Sequence, residues 1–371
     1  MQLIATTMEG LEPVLVRELE ALGAQDIAQL RRAVSFEGDL ELQYKANYTL
    51  RTALRVLQPV HQFSAEHEKQ LYHGVREIDW KQYLDVKGTL AIDPVVTSEF
   101  FKHSQYTALL AKDAIVDQFR EQTGTRPDVN IEYPSLRIHL RIHKDQVYVS
   151  LDSSGDSLHR RSYRRDTVAA PLNEVLAAGM IGLSGWNGST PFVDAMCGSG
   201  TLPIEAALMA INRPVQQLRE RFGFERWPNF DSILWKKVKA EADAAEHTPA
   251  YPIIASDKDP RARNATSINV MAAGLERVVR IEKHPFEKFS PPDTPGTLII
   301  NPPYDERMSL EDAISFYKSI GDRLKHHWTG WDAWVISGHK EALKHLGLKT
   351  KHKIPLLNGA IECGFYHYEL F

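Results

Sequence analysis

The second half of the chain carries five short apolar runs, each bounded by glycine or proline. They lie at 191–194, 253–257, 278–281, 297–301 and 331–336. Stretches with helical spacing separate several of them, at 203–210, 260–273 and 310–324. Short continuous apolar runs suit strands covered on both faces, and parallel strands need a long crossover between them. The alternation therefore predicts a doubly wound α/β domain. The run at 362–371 is expected to be a strand that closes the sheet by hairpin pairing.

The first 155 residues follow another order. Strands are expected at 3–6 and 34–36, and helices at 13–22 and 44–54. Pro13 suits a first helical turn and Gly23 a helix stop. This order predicts a small α+β unit over 1–55. A second α+β unit is expected over 56–155, with strands at 89–92 and 130–133 and a helix at 106–119. In its segment 136–149, Arg137, His139, Arg141 and His143 alternate with Ile138, Leu140 and Ile142. Period 2 places the apolar set on one face and the basic set on the other. Residues 147–151 are expected to pair back as a hairpin. Taken alone, this is a half-buried strand with a solvated basic face. A linker is expected over 156–170 and the α/β domain over 171–371.

A net charge of −4 gives no global argument for nucleic acid, so any such contact must come from a local basic surface. Two cysteines, Cys197 and Cys363, exclude a disulfide framework and a Cys-based zinc site. No metal is expected, and a reducing cytosol fits. Glu9, Glu12, Arg17 and Glu18 argue against a signal peptide. No run of 18 apolar residues exists, so no membrane span is expected.

Two motifs carry chemistry. The first is Asp194-Ala195-Met196-Cys197-Gly198-Ser199-Gly200-Thr201, where an apolar strand runs through a glycine turn into a helix. Gly198 and Gly200 permit positive φ and close ligand approach. This is the ligand position of a doubly wound sheet, although the spacing is not that of a dinucleotide fingerprint. Cys197 reads as a small buried residue rather than a nucleophile. Asp257, followed by Lys258, ends the next strand. Its carboxylate can accept from both hydroxyls of a ribose, or cap the following helix. His284, Pro285 and Phe286 follow the third strand, where a loop is expected over the ligand's base. His284 can bond that base through a ring nitrogen, or be a plain surface histidine.

The second motif is Asn301-Pro302-Pro303-Tyr304. An exocyclic base amine is a poor nucleophile, because its lone pair is delocalised into the ring. The Asn301 side-chain oxygen can accept one of its N–H bonds and the Pro302 carbonyl the other. That favours a tetrahedral nitrogen with its lone pair aimed at a methyl donor. Proline locks φ and holds the preceding residue extended, so the carbonyl points in a fixed direction. Tyr304 can stack on a base taken out of its helix.

With these residues in view, the segment from about 166 onward resembles a class I methyltransferase of the amino-methylating kind. The segment Leu158-His159-Arg160-Arg161-Ser162-Tyr163-Arg164-Arg165 resembles the linker of THUMP-containing RNA methyltransferases. The whole chain looks like the bacterial 23S ribosomal RNA guanine-N2 methyltransferase family, L-type. The resemblance implies a class I Rossmann-like methyltransferase domain, preceded by an α+β THUMP domain and a small ferredoxin-like N-terminal unit. It also implies S-adenosylmethionine as cofactor, N2-methylguanine as product and a cytoplasmic enzyme. The implied partner is RNA, as 23S rRNA or a large-subunit assembly intermediate. Asn301, Pro302 and Tyr304 would be catalytic. The cofactor would meet Asp194, Met196, Cys197, Gly198, Ser199, Gly200, Thr201, Asp257, Lys258, His284, Pro285, Phe286 and Asn301. Arg137, Arg141, Arg160, Arg161, Arg164 and Arg165 would touch phosphate. The insertion with Arg213, Arg219, Arg221, Arg226 and Trp227 either reaches RNA or is a solvated helix with a packed tryptophan. The sequence departs from the family pattern at Asp305, where glycine is usual, and at His284, where an acid is usual. One methyltransferase unit in 371 residues implies one activity. The competing readings are a tRNA guanine-N2 enzyme, a DNA adenine-N6 methyltransferase and a non-catalytic RNA-binding assembly factor.

Overall fold

The computed structural model describes residues 1–168, 170–303 and 309–371. Its first half contains β1 (Gln2–Thr6), α1 (Glu12–Ala21), β2 (Gln25–Leu30), β3 (Ala33–Glu37), α2 (Leu40–Thr49), β4 (Arg55–Ser64), α3 (Glu68–Arg76), β5 (Thr89–Thr97), α4 (Ser104–Thr123), β6 (Asp128–Val129), β7 (Leu136–His143) and β8 (Gln146–Asp152). All eight strands form one sheet in the order β2-β3-β1-β4-β8-β7-β5-β6. The joint is β4. Its first residues pair with β1, through Leu57↔Ile4, and the rest pairs with β8. The expected division at residue 55 thus falls on the first residue of a strand that the two N-terminal units share.

Two expectations here need correction. The helix expected at 44–54 is α2, four residues earlier. Asp39 accepts from the Leu42 N–H at 2.8 Å and fixes its start, and Leu50 is already extended. The strand expected at 130–133 is absent, since β6 ends at Val129. The Asn130 side chain instead accepts from the Glu132 and Tyr133 N–H groups, at 3.1 and 2.9 Å, and turns the chain.

The second half contains α5 (Glu174–Ser184), β9 (Phe192–Asp194), α6 (Thr201–Ala210), α7 (Ser232–Ala244), β10 (Ile253–Ser256), α8 (Pro260–Ala272), β11 (Val279–Glu282), β12 (Thr297–Ile300), α9 (Leu310–His327), β13 (Asp332–Ser337), β14 (His352–Asn358) and β15 (Ile361–Glu369). The sheet order is β11-β10-β9-β12-β13-β15-β14. The five apolar runs form its five parallel strands, and β15 pairs antiparallel with both β13 and β14. Chain order reverses direction at β9, which places a ligand crevice at its carboxyl end.

The insertion between α6 and β10 packs its aromatic residues against the first half. Phe222, Phe224, Trp227 and Trp235 are buried in the core of the first half. Tyr44 stacks on Phe224 with ring centroids 4.4 Å apart, and Trp235 meets Tyr48 edge-on at 5.4 Å. The Asp231 N–H donates to the Tyr44 hydroxyl at 3.0 Å. Arg219 and Arg226 also reach across to the first half, while Arg213 bonds within the second. Arg219 donates to the Ser154 and Asp156 carbonyls at 3.0 and 2.7 Å, and Arg226 to the Pro134 carbonyl at 3.2 Å. Arg213 bonds Glu246 at 2.7 Å and the Ala273 carbonyl at 2.9 Å, and Arg221 lies 6.0 Å over the Tyr133 ring. The insertion therefore clamps the two halves together.

Truncating the centre of that clamp should be costly. Trp235→Ala is expected to destabilise the protein by about 3–5 kcal/mol in urea denaturation, as large aromatic truncations in cores do. Ile233→Ala, on the same helix at 81% exposure, should change stability by less than about 0.5 kcal/mol. Equal effects of the two variants would refute the clamp.

Candidate functional site

β10, β9 and β12 lie side by side and run the same way. Their carboxyl ends open on one cavity of about 350 Å³. At the end of β9 the chain turns through Gly198 (φ +54°) and Gly200 (φ +85°) into α6. A Cβ on Gly200 would stand 2.9 Å from the Thr266 methyl on α8, so both backbone angle and space require glycine. The Gly198 N–H donates to Asp257 Oδ2 at 3.0 Å, and Thr266 Oγ1 donates to the Gly198 carbonyl at 2.8 Å. Asp257 thereby ties the end of β10 to the glycine turn while lining the cavity. The cap of α8 is Asp259, which accepts from the Arg261 N–H at 2.9 Å, so the capping reading of Asp257 is replaced.

Asp194 is 1% exposed and accepts from the Met196 N–H at 3.1 Å. Burial, with the like charge of Asp257 nearby, pushes its carboxyl up to about 8. Burial also pushes the Cys197 thiol up, and its sulfur sits 3.5 Å from Thr266 Oγ1. Cys197 is therefore a packing residue of the turn, not a nucleophile.

Of the residues singled out in the sequence, Asp194, Met196, Cys197, Gly198, Ser199, Thr201, Asp257, Lys258, Phe286, Asn301 and Pro302 line this one cavity. Three do not. Gly200 faces Thr266. His284 is exposed, and Pro285 lies beside it off the cavity wall. The reason is a staple. Ser256 Oγ donates to the His284 carbonyl at 2.6 Å, which fixes the loop backbone so that Phe286 and Glu287 reach the cavity instead. Sequence reading missed Glu287, and it missed the wall built by Val168, Ala170, Pro171 and Leu172 of the linker. It also missed Asn358 and Ile361 at the β14–β15 turn, and Phe316, whose ring lies 5.8 Å from Lys258 Nζ.

At the end of β12, Asn301, Pro302 and Pro303 form the opposite wall. Asn301 Oδ1 is buried and has no hydrogen-bond partner among the described residues. A buried unpaired acceptor is costly and marks a place where a donor is expected. Tyr304 and Asp305 lie outside the described residues.

The basic residues divide into two groups. Arg137 is 9% exposed and engaged by Asp93 at 3.0 Å and by the Ile131 carbonyl at 2.7 Å. Arg161 is 1% exposed; it donates to the Leu158 carbonyl at 2.6 Å and to the Arg51 carbonyl, beside Glu205 at 3.5 Å. Arg164 bonds Glu174 at 2.8 Å and the Ser199 and Thr201 hydroxyls at 3.1 and 2.9 Å. The guanidinium groups of these three are engaged by acceptors within the protein. Arg141, Arg160 and Arg165 are exposed. His139, between Arg137 and Arg141, is held down at about 4 by burial and then by Arg55, so it adds no charge to that face at neutral pH.

Asp194 generates a pH prediction. Its folded pKa, about 8, lies above the ordinary 3.8, so the folded chain holds a proton that the unfolded chain releases. Stability from this group is full below about 4 and is lost as pH rises toward 8. Asn keeps the acceptor without the charge. Asp194→Asn should therefore melt above the wild type at pH 8, with the gap closing at pH 4. A constant gap across that range would contradict the assignment.

Residues 161–367 match the RMKL-like methyltransferase domain, residues 2–57 the RlmL ferredoxin-like domain and residues 65–152 the THUMP domain. The chain is 39% identical to the ribosomal RNA large subunit methyltransferase K/L of Syntrophotalea carbinolica, covering 99% of this chain and 53% of that protein. It is 38% identical to a putative RNA methyltransferase of Synechocystis, covering 99% and 96%. The chain spans about half the length of the K/L relatives that it matches. A crystal structure of a putative methyltransferase complexed with SAH superposes with a TM-score of 0.91 at 30% identity, covering 100% of this chain and 98% of that one. The chain belongs to the RMKL-like methyltransferases, with ferredoxin-like and THUMP domains ahead of the methyltransferase domain.

Proposed function

We propose that the protein methylates the exocyclic N2 amine of a guanine in 23S rRNA, in the cytoplasm. The observation that carries this reading is the buried oxygen of Asn301, which has no hydrogen-bond partner among the described residues and is set beside Pro302 and Pro303 in the cavity that the glycine turn closes.

The residues fit S-adenosylmethionine, which supplies a methyl group on a sulfonium when bound. The Asp257 carboxylate stands at the strand end where ribose hydroxyls are held in folds of this layout. Phe286 offers an apolar ring to the adenine. Met196, Ser199, Thr201 and Lys258 border the same space, and Asp194 anchors the turn from below. Asn301 Oδ1 accepts one N–H of the target amine and the Pro302 carbonyl accepts the other. Two acceptors held in fixed directions turn the amine's lone pair out of conjugation and toward the methyl. The chemistry then rests on positioning more than on a strong base. The amine's surplus proton leaves to solvent. Tyr304 is proposed as the stacking surface for the extruded base.

An RNA substrate is supported by the THUMP domain and by the names of the K/L and Synechocystis relatives. Guanine is supported by the family resemblance, because Asn301 and Pro302 would accept any exocyclic amine. Phosphate contacts are assigned to Arg141, Arg160 and Arg165, the exposed members of the basic set.

Incubation with labelled S-adenosylmethionine and separate 23S rRNA, tRNA and DNA, followed by nucleoside analysis, should give N2-methylguanosine in 23S rRNA. Label in DNA or in N6-methyladenine would refute the reading, and label confined to tRNA would move it to a tRNA enzyme. Asn301→Ala should lower kcat by about 100- to 1,000-fold, as loss of one preorganised polar contact does. Its affinity for S-adenosylhomocysteine should stay within about threefold of wild type. Arg141→Glu should weaken rRNA binding uniformly and lower its salt dependence by about one ion, with cofactor affinity unchanged. Unaltered RNA affinity would return that strand to a purely structural role.

A further inference from the structure

The glycine turn is held from two directions. From within the domain, Asp257, Thr266 and Asn269 bond its backbone, Asn269 Nδ2 donating to the Ser199 carbonyl at 2.9 Å. The segment ahead of α5 also reaches it. Among the described residues, Arg164 is the one residue ahead of β9 whose side chain hydrogen-bonds the turn, through Nη1 to Ser199 Oγ at 3.1 Å and Nη2 to Thr201 Oγ1 at 2.9 Å. Its Nε is fixed by Glu174 Oε1 at 2.8 Å, at the start of α5, and Nη2 also meets the Leu172 carbonyl at 3.1 Å. A guanidinium is a rigid planar fork, so pinning three of its corners sets the rotamers of the two hydroxyls that flank Gly200. Ser199 and Thr201 are 4% and 3% exposed, and no water competes freely for them.

The backbone next to Arg164 is locked to the same place. Asn269, fully buried, accepts from the Arg165 and Asp166 N–H groups at 2.7 and 3.0 Å, and its amide donates to the Asp166 carbonyl at 2.8 Å. Beyond Asp166 the chain runs along the cavity wall through Val168, Ala170 and Pro171. Three residues upstream, Arg161 is anchored in the N-terminal half at the Leu158 and Arg51 carbonyls. The linker is thus a strap laid across the turn, with Arg164 as its buckle.

We infer that Arg164 is a positioning residue for the cofactor turn, and not an RNA contact as its place in an arginine-rich linker suggests. It presents the Ser199 and Thr201 hydroxyls and holds the strap that forms one cavity wall. The inference rests on the reading of this cavity as the S-adenosylmethionine site.

The test uses the full chain and calorimetric titration with S-adenosylhomocysteine. Arg164→Met should raise its Kd by roughly 10- to 100-fold, the scale of losing charged hydrogen bonds. The KM for S-adenosylmethionine should rise in step, while kcat at saturating cofactor and the KM for rRNA stay within about twofold. Arg164→Lys keeps the charge without the fork and should fall between the two. Because Arg164→Met leaves the Glu174 carboxylate unpaired and can unfold the domain, the paired change Ser199→Ala with Thr201→Ala provides a second route. It leaves the Arg164–Glu174 pair intact and should weaken binding to a similar degree. Adding Arg164→Met to it should cost less than about threefold more, since interactions through a shared contact are not additive. Unchanged affinity for S-adenosylhomocysteine in Arg164→Met and in the paired variant would overturn the inference. Weakened rRNA binding with normal cofactor affinity would overturn it in favour of a phosphate contact. Failure of the wild type itself to bind S-adenosylhomocysteine would instead remove the cofactor-site reading on which it stands.

Discussion

Phe192 pairs with Ile253 on one side and with Thr297 on the other, all three strands parallel. The site depends on this register. Parallel strands in register end together, so Asp194, Ser256 and Ile300 finish at one edge of the sheet and the loops that follow them share a crevice. A slip of one residue would turn each side-chain set to the other face. β9, β10 and β12 are buried along their whole length, so their side chains pack on both faces of the sheet.

On that edge the chemistry divides by distance from the glycine turn. Gly198, Asp257 and Asp194 form the end with positive φ, a shared hydrogen bond and a carboxyl held neutral by burial. Asn301, Pro302 and Pro303 form the end whose Asn301 oxygen has no hydrogen-bond partner among the described residues. The proposed reaction uses this asymmetry, since an acceptor already paired with protein could not orient an incoming amine.

The two halves of the molecule are joined by more than a covalent linker. The insertion after α6 packs its aromatic residues into the first core, and Arg161 and Arg164 tie the linker to both sides. These contacts pack the half that carries the THUMP domain against the half that carries the methyltransferase domain.

The sequence by itself determined the five parallel strands of the second sheet, the glycine turn and the Asn-Pro-Pro end of β12. Local chemistry suffices there. Continuous apolar runs specify buried strands, glycine specifies positive φ, and proline fixes the backbone around Asn301. Less regular elements were not legible. β2 shows no alternation because almost all its residues are exposed, and Asn130 ends β6 through a side-chain turn that competes with pairing. What only the tertiary structure decided was the use of each polar side chain. Arg137, Arg161 and Arg164 look like Arg141, Arg160 and Arg165 in the sequence. Yet each of the first three meets a polar group brought from 35 or more residues away: the Asp93 carboxylate for Arg137, the Arg51 carbonyl and Glu205 for Arg161, and the Ser199 hydroxyl for Arg164. His284 lost its place at the cavity to Phe286 and Glu287 through one hydroxyl on a neighbouring strand. An arginine's charge is written in the sequence, but whether it faces phosphate or a buried carboxylate depends on which partners folding brings within about 3 Å.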